Sequence, residues 1–214
     1  MDKGKTPFVS RDLERKEEIT IRIKSIKAAK PRIIIGILGQ EPGLGVTHLS
    51  ISLANYAAKW LNARTALVEW EVRNSLAALS PKEGEEAFDL KGVTYFPSIP
   101  AKELGLIYSM DFEYIILDLG SDSQKAREEL MRCNGKLIVG SLCPWRKARY
   151  YDYIKRLQEH TGISDMFTFL ALFEDKIEIK RCCRTYKAQV QSIPFIANPF
   201  HIKKEETDFL HTLI

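Results

Sequence analysis

The sequence predicts an α/β fold: a mostly parallel central sheet with helices on both faces, three layers deep. Three observations carry that prediction. Short apolar runs rich in β-branched residues recur at 33–38, 63–71, 114–118, 136–140 and 167–173, and their continuous apolar character suits strands buried on both faces. Helix-length amphipathic segments separate them, at the spacing of right-handed βαβ units. The first run passes through a turn punctuated by Gly39, Gly43 and Gly45 straight into a helix.

Residues 1–30 hold an excess of Lys and Arg, and Ile19, Ile21, Ile23 and Ile26 fit neither a helical nor a strand period. They read as a basic N-terminal extension, a solvated arm ahead of a domain over 31–214. A basic amphipathic element touching a membrane surface or a partner is the alternative. From Thr47, apolar residues at 49, 53, 57 and 60 and at 51, 54, 58 and 61 predict a helix buried on most of its surface. The strand over 63–71 ends in two carboxylates, Glu69 and Glu71, and residues 75–90 read as helical or irregular. Val93 to Phe96 is a short strand closed by Pro97, followed by a brief helix from Lys102 to Ser109.

The strand over 114–118 ends in Asp118, after which Ser121 or Asp122 caps a helix running to about Cys133. Beyond the strand at 136–140, a helix over 147–161 puts Tyr150, Ile154 and Leu157 on one face, with Gly162 as its stop. Residues 167–173 and 192–197 complete the strands, the last at an edge because it contains Pro194. A helix from Glu205 ends the chain.

At 214 residues and 24.5 kDa the chain suits one substantial domain with a core of its own. With 45% hydrophobic and 28% charged residues it reads as globular, and the lack of any apolar run near the roughly 20 residues of a membrane span makes it cytoplasmic. Cys133, Cys143, Cys182 and Cys183 show no metal-type spacing and read as reduced structural thiols. His160, His201 and His211 stand apart from one another and suggest neither a metal nor a triad. A net charge of +4 is modest for a dedicated nucleic-acid face. A dinucleotide fingerprint fails because His48 stands where its third glycine would be.

Ligands of open parallel sheets sit beyond the carboxyl ends of the strands. There the sequence places the glycine turn after Leu38, Glu69 with Glu71, and Asp118. Backbone N–H groups at a glycine turn and the positive end of a helix suit a phosphate, and acidic strand ends suit Mg²⁺. Each residue has a plainer reading. Gly43 and Gly45 also serve a tight turn that binds nothing, Asp118 a cap, Glu69 and Glu71 the flanks of a buried Trp70, and His48 a structural contact.

The segment from Glu41 to His48, EPGLGVTH, resembles the deviant Walker A loop, K-G-G-x-G-K-[ST], of the MinD/ParA family of P-loop ATPases. The resemblance extends to the strand ending at Glu69 and Glu71, to the Walker B-like strand ending at Asp118, and to Ile193-Pro194-Phe195, similar to a Pro-bearing turn near the adenine. It implies a P-loop NTPase-like sandwich binding ATP or ADP with Mg²⁺. Gly43, Leu44, Gly45, Val46, Thr47 and His48 would hold the nucleotide, Thr47 and Asp118 the metal, and Glu69 and Asp118 the catalytic positions.

Val46 occupies the place of the phosphate-binding lysine, and Glu41 that of the signature lysine which reaches across a dimer. The loop is therefore degenerate, and little ATPase activity is expected. A closer likeness is to the divergent TadZ-like branch, which implies pilus or secretion machinery as partner and a homodimer as assembly. The chain reads as a nucleotide-responsive or nucleotide-independent scaffold or localisation factor. Two other readings stand beside it. One is a slow ATPase whose missing charge comes from Arg73, Lys147 or a partner's lysine; the other is a module binding DNA or an acidic membrane through basic surfaces such as residues 180–187.

Overall fold

The computed structural model describes residues 31–71, 74–161, 166–172 and 176–214, apart from the side chains at 160 and 161. The expectations for residues 1–30, Arg73, Gly162 and Phe173 fall outside that set. The strands are β1 (Ile33–Gly39), β2 (Thr65–Trp70), β3 (Phe88–Leu90), β4 (Val93–Ile99), β5 (Tyr114–Ser121), β6 (Gly135–Ser141), β7 (Thr168–Leu172) and β8 (Val190–Ser192). The helices are α1 (Val46–Trp60), α2 (Leu104–Ser109), α3 (Gln124–Arg132), α4 (Lys147–Thr161), α5 (Lys176–Tyr186) and α6 (Lys204–His211).

All eight strands join one sheet in the order β3-β4-β2-β5-β1-β6-β7-β8. Only the β3–β4 pair is antiparallel among the described residues. The predicted α/β class, mostly parallel with helices on both faces, is the observed one. Strand side chains alternate between two cores, as the two-residue period demands. Ile35, Ile37, Leu67 and Ile116 face α1 and α6; Val68, Leu117, Ile138 and Phe169 face α3, α4 and α5.

From β1 the chain moves to β2 and β4 on one side, returns to β5, and then crosses to β6 on the other. The carboxyl end of β1 is thus the point where the strand order reverses, the place such sheets leave open for a ligand. Packing at the crossing is close. Tyr150 of α4 is fully buried and its hydroxyl donates to the carbonyls of Leu170 (3.0 Å) and Ile138 (3.2 Å). A methyl group added at Gly140 would lie 2.1 Å from that ring.

Several boundaries differ from expectation. Residues 88–90 form β3 rather than irregular chain, because Lys91 (φ 53°) and Gly92 (φ 83°) turn the backbone back on β4. Pro97 does not close β4, which runs on to Ile99. The pairing with β2 shifts register between Val68 and Trp70, and such an irregularity tolerates a residue without an N–H. The cap of α3 is Ser123, whose hydroxyl accepts from the Ala126 amide at 3.1 Å, since β5 continues to Ser121. The last strand lies at Val190–Ser192, ahead of Pro194 rather than around it. The basic run at 180–187 is mostly helical, the C-terminal part of α5.

Candidate functional site

The site is built where β1 gives way to α1. Gly43 and Gly45 adopt φ of 78° and 74°, left-handed values that cost a side chain about 1 to 2 kcal/mol. A methyl group at either would meet nothing within 4 Å. Their backbone conformation therefore demands glycine, not crowding. Gly39 is the reverse case: a methyl there would lie 2.9 Å from the Val46 side chain and 3.2 Å from the Gly120 carbonyl. Gly45 caps α1 without any side-chain acceptor, and the first turn of α1 carries no acid. No side-chain cap therefore covers its leading amides, and a helix start of that kind suits an anion.

Thr47, in that first turn, donates its hydroxyl to Asp118 Oδ2 at 2.6 Å. The Gly120 amide donates to Asp118 Oδ1 at 3.0 Å, and the carboxylate is wholly buried. Strand register places Glu69 directly beside Asp118 on the neighbouring strand. Both side chains point to the α1 face, as do Leu67 and Ile116 two residues earlier. Glu69 is also fully buried, and it accepts from the Ser75 amide (2.8 Å) and the Ser98 hydroxyl (3.3 Å). It thereby ties down the loop after β2. Glu71 lies past the strand end with φ 60° and sits 3.9 Å from Lys125.

The remaining loop residues divide by role. Leu44 and Val46 are buried in the core beneath α1, whereas Gly43 and Gly45 are exposed. His48 turns away from the loop: its Nε2–H donates to the Ile196 carbonyl at 2.8 Å, fastening α1 to the segment after β8. Phe195 next to it is 90% exposed. A hydroxyl and a carboxylate are hard oxygen donors of the kind Mg²⁺ prefers, and the uncapped amides suit phosphate, so loop and acid fit a Mg²⁺–nucleotide. The side chain at position 46 adds no charge to them: Val46 is apolar and buried.

Three ion pairs were not foreseen from sequence. Glu41 is held by Arg146 Nε at 3.3 Å and Arg149 Nη1 at 3.2 Å. Three residues apart around the start of α4, the two arginines share one side of the chain there; that spacing was the available signal. Lys147, named as a source of the missing charge, is engaged elsewhere, 3.1 Å from Glu178 of α5.

No family model matches the sequence, and no curated protein does either. Solved structures do match. MinD from Aquifex aeolicus is similar at 16% identity over 84% of this chain and 86% of that one, with a TM-score of 0.54. A Borrelia burgdorferi protein described as a plasmid partition protein, bound to AMPPNP, is similar at 15% identity over 86% and 97%, with a TM-score of 0.62. MinD from Pyrococcus horikoshii complexed with Mg-ADP is similar at 12% identity over 76% and 81%, with a TM-score of 0.57. The chain has the fold of the MinD and ParA ATPases.

Proposed function

We propose that this chain is a nucleotide-responsive scaffold or localisation factor with little ATPase activity. The observation that carries the reading is the Thr47–Asp118 hydrogen bond at 2.6 Å beneath an uncapped glycine loop, in a chain whose lysine position is the buried Val46. In this reading Gly43, Leu44, Gly45, Val46, Thr47 and His48 form the nucleotide loop, mostly through main-chain groups. Thr47 and Asp118 hold Mg²⁺, which would add positive charge beside the phosphates, and Glu69 keeps the neighbouring strand end in place. Losing one charge-assisted phosphate contact lowers affinity by about 1.5 to 3 kcal/mol, roughly one to two decades. Binding survives that loss more readily than hydrolysis, which depends on cations placed for the transition state.

The proposal places residues 31–214 as the nucleotide domain and 1–30 as a basic extension. It extends to a cytoplasmic location, a homodimer, and a protein partner of the pilus or secretion type that the TadZ-like resemblance implies. Among the described residues no helix is long and apolar enough to cross a membrane. Calorimetric titration with ATP and ADP, with and without Mg²⁺, tests the reading. Saturable Mg²⁺-dependent binding with turnover near background is expected; a flat titration at millimolar ligand would overturn it.

A second reading has its own observation. Lys180, Arg181 and Arg184 of α5 are exposed, and Glu178, the helix's acidic residue, is turned inward. A basic module of that kind would bind DNA or acidic vesicles with steep salt dependence and no effect of nucleotide.

A further inference from the structure

The loop carries a negative charge where an anion is expected to bind, and that charge is already matched. Glu41 lies between β1 and α1 with its side chain 17% exposed, and one carboxylate oxygen faces each arginine. Strand β6 adjoins β1, so the turn after β6 delivers Arg146 and Arg149 beside the loop. Two guanidinium groups against one carboxylate leave a surplus positive charge. Each contact uses a single nitrogen of a group with five N–H donors.

The clamp is also imperfect. Among the described residues Glu41 Oε1 is buried without a hydrogen bond and has Arg146 near it. A polyphosphate offers more charge and more acceptor oxygens, and planar guanidinium forks match phosphate well.

Resting on the nucleotide reading above, we infer that Arg146 and Arg149 are the phosphate-binding cations of this site. Glu41 is a built-in occupant, which the polyphosphate of the nucleotide displaces. The charge missing at position 46 is supplied from the start of α4, and in the empty site the loop's own Glu41 offsets part of it. Binding would release α4 from Glu41, coupling nucleotide to the position of that helix.

Calorimetry with Mg-ATP on four proteins tests this: wild type, Glu41→Gln, the double variant Arg146→Gln with Arg149→Gln, and the triple variant. Glu41→Gln is expected to tighten binding by about tenfold and the double variant to weaken it by about tenfold. In the triple variant the gain from Glu41→Gln should vanish, because it acts through the arginines. An equal gain in the arginine-free background would overturn the inference. So would affinities that respond to Thr47→Ala but to none of these changes, and that result would leave the nucleotide reading standing. Binding seen only after Glu41→Gln supports the clamp, whereas no binding by any variant overturns both. Should the double variant not fold, Arg149→Gln alone, at a side chain 62% exposed, is expected to weaken binding by roughly threefold. No change there would count against the inference.

Discussion

At the scale of single residues, the site depends on groups with few alternatives. Asp118 is wholly buried and accepts from Thr47 and from Gly120. Thr47→Ala removes a hydrogen bond to a buried carboxylate, and a loss of about 1 to 3 kcal/mol in urea unfolding of the ligand-free protein is expected. Thr47→Ala and Asp118→Ala should each weaken Mg-ATP binding, and unchanged affinity in both would remove the proposed site. Val46 presents the opposite problem. Its side chain is 7% exposed in the core beneath α1, so Val46→Lys must thread a charged head out of an apolar position. The expected result is lower stability of the ligand-free protein, by about 1 to 3 kcal/mol, together with ATP affinity raised roughly tenfold. Lower stability without any gain in affinity would show that the loop does not admit a cation there. Two of the thiols play no comparable part: burial pushes Cys133 and Cys182 up to about 12, where a thiolate is too scarce to react.

Among the elements, the glycine loop and the α4 crossing differ in what they ask of glycine. Gly45 needs it for its φ of 74°, with open space around the missing side chain. Gly140 needs it because the Tyr150 ring occupies that space at 2.1 Å. Gly45→Ala should therefore cost about 1 to 2 kcal/mol, and Gly140→Ala about 3 kcal/mol or more, since a fully buried ring with two hydrogen bonds has nowhere to move. Urea unfolding of the two variants ranks them, and the reverse order would contradict this account. Element types were largely legible in the sequence: β1, β2, β5, β6 and β7 appear where buried apolar runs stand. Strand β3 was not, because three residues hold a strand only when β4 is there to pair with. Nor was the extension of β4 past Pro97, which rests on a register shift against β2.

For the whole molecule, α4 and α5 are joined by one carboxylate. Glu178 accepts from the Tyr151 hydroxyl at 2.6 Å and lies 3.1 Å from Lys147, with Arg181 also paired to it. The hydrogen bond from Tyr151, together with Lys147 and Arg181, holds its carboxyl below the ordinary value of 4.5. A depressed carboxylate stabilises the folded state above the ordinary value, and that contribution is lost as pH falls toward the lower folded value. The melting temperature should fall between about pH 5 and pH 3, and Glu178→Gln should make that fall shallower. An identical acid limb in both proteins would assign the acid sensitivity to other carboxylates.

By itself the sequence determined the fold class, the strand–glycine turn–helix at its centre, and the carboxylates Glu69 and Asp118 on β2 and β5, although Asp118 read as a strand end and β5 runs on to Ser121. Those properties are local: they follow from the periodicity of apolar residues, from glycine's access to positive φ, and from which residue ends each apolar run. Tertiary structure decided what the charges do. Glu41 read as a carboxylate in place of the signature lysine, and it is matched by Arg146 and Arg149; Lys147 read as a spare cation, and Glu178 engages it. His48 read either as a nucleotide-loop residue or as a structural contact, and tertiary structure supplied the partner of that contact, the Ile196 carbonyl. Ion pairs and hydrogen bonds depend on separation in space, and residues far apart in sequence meet only once the sheet has set β6 beside β1 and carried α4 and the segment after β8 to the same edge.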